Sequence, residues 1–217
     1  MTYEEIKILA ETLFGQYISK GFINTTSGSP TAIALLLHLA GNRIAGMPEE
    51  LECLKETGTI TLTGATSYNF RTSYPDFRSV YQVYGINENQ AHPFVPNYEA
   101  NVIPAQAYSI RGITLYFSGT APTSGTLRFQ YKSQYMVKSA AGVRKRYFEA
   151  DDDYSVLDDV DINALIFGLG DFVQWKTDIK SKDRKEEVKT WHAEAIQNII
   201  NFNVNTKQLD NSVGMLG

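Results

Sequence analysis

The sequence predicts an α+β fold, with N- and C-terminal helices packed as a bundle and an antiparallel β-sheet or small barrel inserted between them. Three observations lead there. Apolar residues recur at helical spacing near both ends, through Ile6, Leu9, Leu13 and Tyr17 and again through Val188, Trp191, Ala195 and Ile199. From Thr59 onward the period drops to two. Aromatic residues reach 12%, with 13 Tyr and 11 Phe, a composition suited to pleated surfaces. A chain of 217 residues is one ordinary domain or two small ones and can bury a real core. The expected divisions are a helical part at 1–57 and 157–203, a β-rich insertion at 58–156, and an extended C-terminal arm at 204–217.

Each element has its own signal. Thr2 and Glu5 stand at capping-box spacing ahead of the first helix, which Gly21 is expected to end. The Gly/Ser-rich stretch 24–29 reads as a loop. Ser29 then caps a second helix with Pro30 at its first position. That helix is apolar on nearly every side, so it should lie between other elements or at a subunit contact. Pro48 opens a short third helix through Lys55, stopped by Gly58. Residues 59–63 and 67–70 alternate around a turn at Gly64, and Val80, Tyr81, Val83 and Tyr84 mark another strand. Residues 87–104 hold Pro93, Pro96 and Pro104 among polar neighbours, an irregular surface excursion. Ile113, Leu115 and Phe117 alternate, as do Leu127, Phe129 and Tyr131, with Gly119 to Gly125 between them; this is the clearest hairpin signal in the chain. A charged start at 181–185 opens the last helix, whose buried face runs from Val188 to Phe202. The final stretch has no apolar period, which predicts an arm unable to bury itself.

Composition narrows the function classes. Hydrophobic content of 43% and charged content of 20% are ordinary for a globular protein. A net charge of −4 and a pI near 5.4 give no basic footprint for tight nucleic-acid binding. The one cysteine, Cys53, excludes an intrachain disulfide and, between Leu51 and Leu54, reads as a buried structural thiol. No stretch approaches the roughly 18 apolar residues that cross a bilayer, and Glu4 and Glu5 replace the positive start of a secretory signal. Use without export is the expectation.

Catalytic and metal signatures are missing. His38, His92 and His192 are far apart, with no HExxH and no cysteine at ligand spacing. No GxSxG, Walker loop or GxGxxG occurs. The acidic run at 151–153 continues through Asp158, Asp159 and Asp161. An EF-hand counted from Asp151 would need glycine at Val156 and glutamate at Ile162. The run therefore reads as a solvated loop with helix capping, and neither a cofactor nor a metal is expected.

The segment YFEADDDYSVLDDVDINALIFGLGDFVQWK, residues 147–176, carries the most information. Ile162, Leu165, Ile166, Leu169, Phe172 and Val173 form one stripe of an amphipathic helix, with Asp158 as its expected N-cap and Asp161 adding charge at the dipole's positive end. Gly168 and Gly170 each cost about 1 kcal/mol relative to alanine. Either a neighbouring helix, within the subunit or across a ring, approaches closely there, or the helix breaks in two.

This aromatic-acidic lead, Leu-Asp helix start, small-residue middle and W-K ending resemble tailed-phage head-to-tail adaptors, also called connectors or head-completion proteins. The layout around it is similar: a helical first third, a strand segment TGTITLTGATSYNF, then GITLYFSGTAPTSGTLRFQYKS, and so the resemblance covers roughly residues 28–200. It implies a structural virion protein of the neck, assembled in the host cytoplasm. Such a protein forms a ring of twelve copies beneath the portal, with a tail tube or nozzle protein on the other side. Genomic DNA passes through its channel, and no membrane is involved.

Candidate contact residues follow from that expectation. Lys207, Leu209, Val213, Met215 and Leu216 would dock the arm on the portal. Leu36, Leu39, Gly168, Gly170, Trp175 and Trp191 would form a ring or helix-packing face. Arg144, Lys145 and Arg146 are candidates for contact with DNA or a partner. The alternative is another phage tail module, a tail-completion or glycan-binding β-domain protein, whose exposed Tyr98, Tyr108, Tyr135 and Tyr154 would stack on sugar rings. No convergent residues favour an enzyme.

Overall fold

A computed structural model describes residues 1–18, 31–49, 51–86, 91–92, 108–117, 121–159, 161–176 and 182–213; at 15–18, 85–86, 91–92, 174–176, 182–184 and 202–213 it describes the backbone alone. In chain order the elements are α1 (Tyr3–Ile18), α2 (Ala32–Ala45), a 3-10 turn (Glu52–Leu54), β1 (Lys55–Thr61), β2 (Ser67–Asn69), α3 (Phe70–Ser73), β3 (Phe77–Ile86), β4 (Ala91–His92), β5 (Tyr108–Arg111), β6 (Thr114–Phe117), β7 (Thr126–Ser133), β8 (Val137–Lys138), β9 (Arg144–Lys145), β10 (Tyr154–Ser155), α4 (Ile162–Lys176) and α5 (Lys182–Val213). The fold is α+β with small antiparallel sheets.

Two compact units form: a helical unit of residues 1–54 and 135–217, and a β unit of residues 55–134. The β insertion therefore starts at Lys55 and stops at Gln134, well short of the expected 156. Residues 135–156 belong to the helical unit because β8 and β10 pair with each other and Thr2 bridges Tyr154.

In the helical unit, α4 packs against α1, α2 and α5. Its stripe of Ile162, Leu165, Ile166, Leu169 and Val173 is buried with Ile6, Phe14, Leu37, Ile44, Val188 and Ile199 in one core. The capping box holds: the Thr2 N–H donates to Glu5 Oε2 at 2.8 Å. Helix α2 is capped by Thr31, whose hydroxyl accepts from the Ala34 N–H at 3.1 Å, so the cap lies two residues beyond Ser29. The third helix shrinks to the single turn Glu52–Leu54. Strand pairing of Lys55 with Lys132 starts at once, and tertiary pairing overrides local helical preference. Helix α4 begins at Ile162; Asp158 contributes its carbonyl to the Asp161 and Ile162 N–H groups in the turn before it.

In the β unit, one sheet has strand order β1-β7-β3-β4 and the other β2-β6-β5. Both faces share a core of Ile60, Leu62, Phe70, Phe77, Leu115, Phe117, Leu127, Phe129 and Tyr131. The expected hairpin between 113–117 and 127–131 does not form. Gly112, at φ 60°, closes a two-residue turn that pairs β6 with β5, while β7 is taken up between β1 and β3 in the other sheet. Likewise β1 and β2, on either side of Gly64, join different sheets. Of the proline-rich excursion, only Ala91–His92 lies within the described residues.

The arm is also corrected. Backbone is helical through Val213, where an extended segment was expected from residue 204. The stretch contains neither proline nor glycine before Gly214, so an established helix propagates without an apolar stripe to guide it.

Candidate functional site

The acidic lead of α4 folds onto the start of a different helix. The Asp153 and Asp151 carbonyls accept from the Tyr3 and Glu4 N–H groups at 2.6 and 3.2 Å, satisfying free donors of the first turn of α1. Tyr3 stacks on Phe148 with centroids 4.9 Å apart, and Lys7 pairs with Asp151 at 3.1 Å. Carboxylates gathered at the positive end of α1 are favoured by its dipole. The run is thus a cap for α1, assembled from the far end of the chain.

Asp153 anchors this loop. Its side chain is 1% exposed and accepts from the Glu149 and Ala150 N–H groups at 2.7 and 3.0 Å and from Lys145 Nζ at 3.0 Å. Burial alone would raise its pKa, but those backbone donors and the Lys145 ammonium outweigh burial and hold the carboxyl below its usual range. Asp161 moves the other way, raised by burial and by the charge of Asp158.

The basic knot is largely committed inside the unit. Arg144 donates to the carbonyls of Tyr135 and Cys53 at 2.9 and 2.8 Å, fixing the strand to the turn before β1. Lys145 pairs with Asp153 and Glu149, and the exposed Arg146 stacks over Tyr147 at 5.1 Å. Arg144 and Lys145 thus have partners within the unit, and Arg146 is the exposed member of the three. The Cys53 thiol is half-buried against the helical core, less enclosed than the sequence suggested, and burial pushes its pKa up to about 11.

Both glycines of α4 are spent within the subunit, and the helix runs through them unbroken. A Cβ on Gly168 would stand 2.9 Å from the Ala40 Cβ and 3.2 Å from His192 Nε2; one on Gly170 would strike the Phe14 ring. Gly168 thus lets α2 and α5 approach α4, and Gly170 admits a ring of α1. Leu36 is buried in the same core. Trp191 packs beside Phe167 at 5.5 Å, over a shallow groove of about 360 Å³ that Leu13, Asn163 and Ala195 also line. These positions serve packing between helices within the subunit, the second of the two alternatives for this face, while Leu39 is 38% exposed. Trp175 lies on α4, with its side chain outside the described residues.

His192 Nε2 is buried without a hydrogen-bond partner among the described residues, and burial lowers its pKa despite the nearby Asp171. Arg43, from α2, pairs with Asp171 at 2.7 Å and lies 4.0 Å over the Phe172 ring. Lys207, Leu209 and Val213 fall on α5, while Met215 and Leu216 lie outside the described residues. Tyr98 also lies outside them; Tyr108, Tyr135 and Tyr154 are half-buried, which leaves poor platforms for sugar stacking.

Among the described residues no three His, Cys, Asp or Glu side chains gather to hold a metal ion, and no helix is long and apolar enough to cross a membrane. One structural element escaped the sequence reading: the turn between β8 and β9, closed by the Gly142 N–H donating to the Ser139 carbonyl at 2.8 Å, in which Val143 is exposed. The small residues Ser139, Ala140, Ala141 and Gly142 were its only signal. Set against protein-family models and against curated proteins, the chain matches none.

Proposed function

We propose that this chain is a structural virion protein and not an enzyme: a head-to-tail adaptor that forms a ring, of about twelve copies by its family resemblance, between the portal and the tail. The observation that carries this reading is α4. The segment that resembles the adaptor signature is an unbroken helix at the centre of its unit, with an acidic lead clamped on α1 and both glycines in close contact with neighbouring helices. A rigid wall element suits a protein whose work is assembly. Genomic DNA would pass the ring without sequence-specific contact, in keeping with a net charge of −4. In this reading the C-terminal stretch that holds Lys207, Leu209, Val213, Met215 and Leu216 attaches to the portal, and many weak attachments around a ring add up to a firm one.

Mass measurement of the purified chain with and without portal tests the proposal, and a ring of portal symmetry is expected only when the two are mixed. Deleting residues 206–217 should leave the melting temperature nearly unchanged and weaken portal attachment. A stable trimer, or a melting shift produced by glycans and not by portal, would replace this reading with that of another tail module.

A further inference from the structure

With the glycine face consumed inside the helical unit, its exposed large apolar side chains are few among the described residues. Ile8 (55% exposed) and Leu9 (38%) stand on α1, Leu39 on α2, and Val143 (62%) on the β8–β9 turn. Two of these spots have opposite electrical surroundings. On α1, Glu4 lies one turn before Ile8 and Glu11 one turn after it, both exposed, while Lys7 is drawn aside to Asp151. Around Val143, residues 137–146 hold Lys138, Arg144, Lys145 and Arg146 and no carboxylate. Lys145 is matched by Asp153 and Glu149, and the exposed Arg146 is held in place over Tyr147.

We infer that these two faces are the halves of one contact between copies of this chain: the β8–β9 turn of one copy seats Val143 against Ile8 and Leu9 of the next, with Arg146 meeting Glu4 and Glu11. Charge complementarity selects the occupant. The exposed Glu4 and Glu11 on either side of Ile8 suit the exposed Arg146, three residues on from the apolar tip at Val143, and both lie on the same unit. Because the faces differ, the contact is heterologous; it passes from copy to copy and ends only when the rotation closes. That geometry is what a ring requires, and in this respect the inference rests on the adaptor reading.

Sedimentation of the purified full chain over a wide concentration range, together with portal-bound assembly, provides the test. Glu11→Lys and Arg146→Glu should each weaken association of copies by about tenfold or more, since each sets like charges opposite one another. Mixing the two variants should restore association, because each then supplies the face that the other needs. Raising ionic strength should weaken the wild-type contact. Ile8→Ser, at an exposed position, should weaken association without lowering the melting temperature. Unchanged association and unchanged portal-bound assembly in all three variants, or no rescue on mixing, overturns the inference. Rings that form on portal with the charge variants as readily as with wild type would discard this contact and leave the adaptor reading standing. Mixing rescue in a chain that never binds portal would do the reverse.

Discussion

The two units of this chain bury their cores by different means. The helical unit is mainly aliphatic, with Leu, Ile, Val and Ala drawn from both ends of the sequence, and two glycines that let backbones and one ring come close. The β unit is mainly aromatic: Phe70 stacks on Phe77 at 4.4 Å, and Phe129 lies edge-on to Phe70 at 4.8 Å, with Tyr74 and Tyr131 completing the cluster. Yet both admit a ring by leaving out a Cβ. Gly170 makes room for Phe14, and Gly58 makes room for Phe129. Ring and glycine are one packing device, used once on a helix and once on a strand.

The sharpest test of the aromatic side is Phe129→Ala. It should cost the β unit about 3–5 kcal/mol, because four neighbouring rings cannot collapse into the space left. Chemical denaturation followed by near-UV circular dichroism reads that loss. A cost under about 1 kcal/mol would mean that the cluster repacks and is no jigsaw.

In the helical unit the largest polar effect belongs to Asp153. Asp153→Asn should cost about 2–3 kcal/mol at neutral pH, since it weakens the Lys145 pairing and the two backbone hydrogen bonds of the α1 cap. Its folded pKa is depressed, so wild type has this stability in full above about pH 4 and loses it as pH falls through the folded value. Urea melts at pH 7 and pH 3 should therefore differ more for wild type than for the variant. Equal differences would remove Asp153 from the account.

Gly170→Ala comes next. Helix propensity alone would gain about 1 kcal/mol. Forcing the Phe14 ring aside costs about 1–3 kcal/mol, so a net loss is expected. A net gain would show that the close approach is slack and that comparison with Gly58 fails. The smallest effect is Thr31→Ala, about 1 kcal/mol, which removes the α2 cap and the 2.6 Å hydrogen bond between Thr31 Oγ1 and the Tyr3 hydroxyl. Thermal melts of the two variants side by side rank packing against capping.

What the sequence disclosed divides along the same line. The apolar stripes of α4 and α5 and the Thr2/Glu5 box were legible, because a helix writes its buried face into 3.6-residue spacing. On α1 the spacing found Ile6 but chose Leu9, which is exposed, where the buried face runs through Tyr3, Ile6, Ala10 and Phe14. Passage through Gly168 and Gly170 was left open between close approach and a break. The locations of β1, β2, β3, β6 and β7 were legible as well, those of β5 and the short β8, β9 and β10 were not, and partners were not. Residues 113–117 and 127–131 alternate as a hairpin would, yet period two says only which face is buried and nothing about which strand lies alongside. The acidic run was visible and its client was not: Asp151 and Asp153 serve α1 and not the helix that they precede. Val143 was silent because an exposed valine in a turn leaves no pattern.

The clamp of residues 151–154 on residues 2–4 has a consequence for the order in which the molecule comes into being. The β unit is one unbroken length of chain, complete once Gln134 has left the ribosome, and all its pairings are antiparallel. The helical unit has to wait. Helix α1 is made first but receives its cap and the helix at its centre last, so its loop can close only after the whole insertion has been paid out. A β unit already folded at that moment replaces a long flexible tether with a short one and eases the closure. Pulse-labelled hydrogen exchange should then find the amides of β1, β3 and β7 protected before those of α1, and simultaneous protection would argue for a single concerted event.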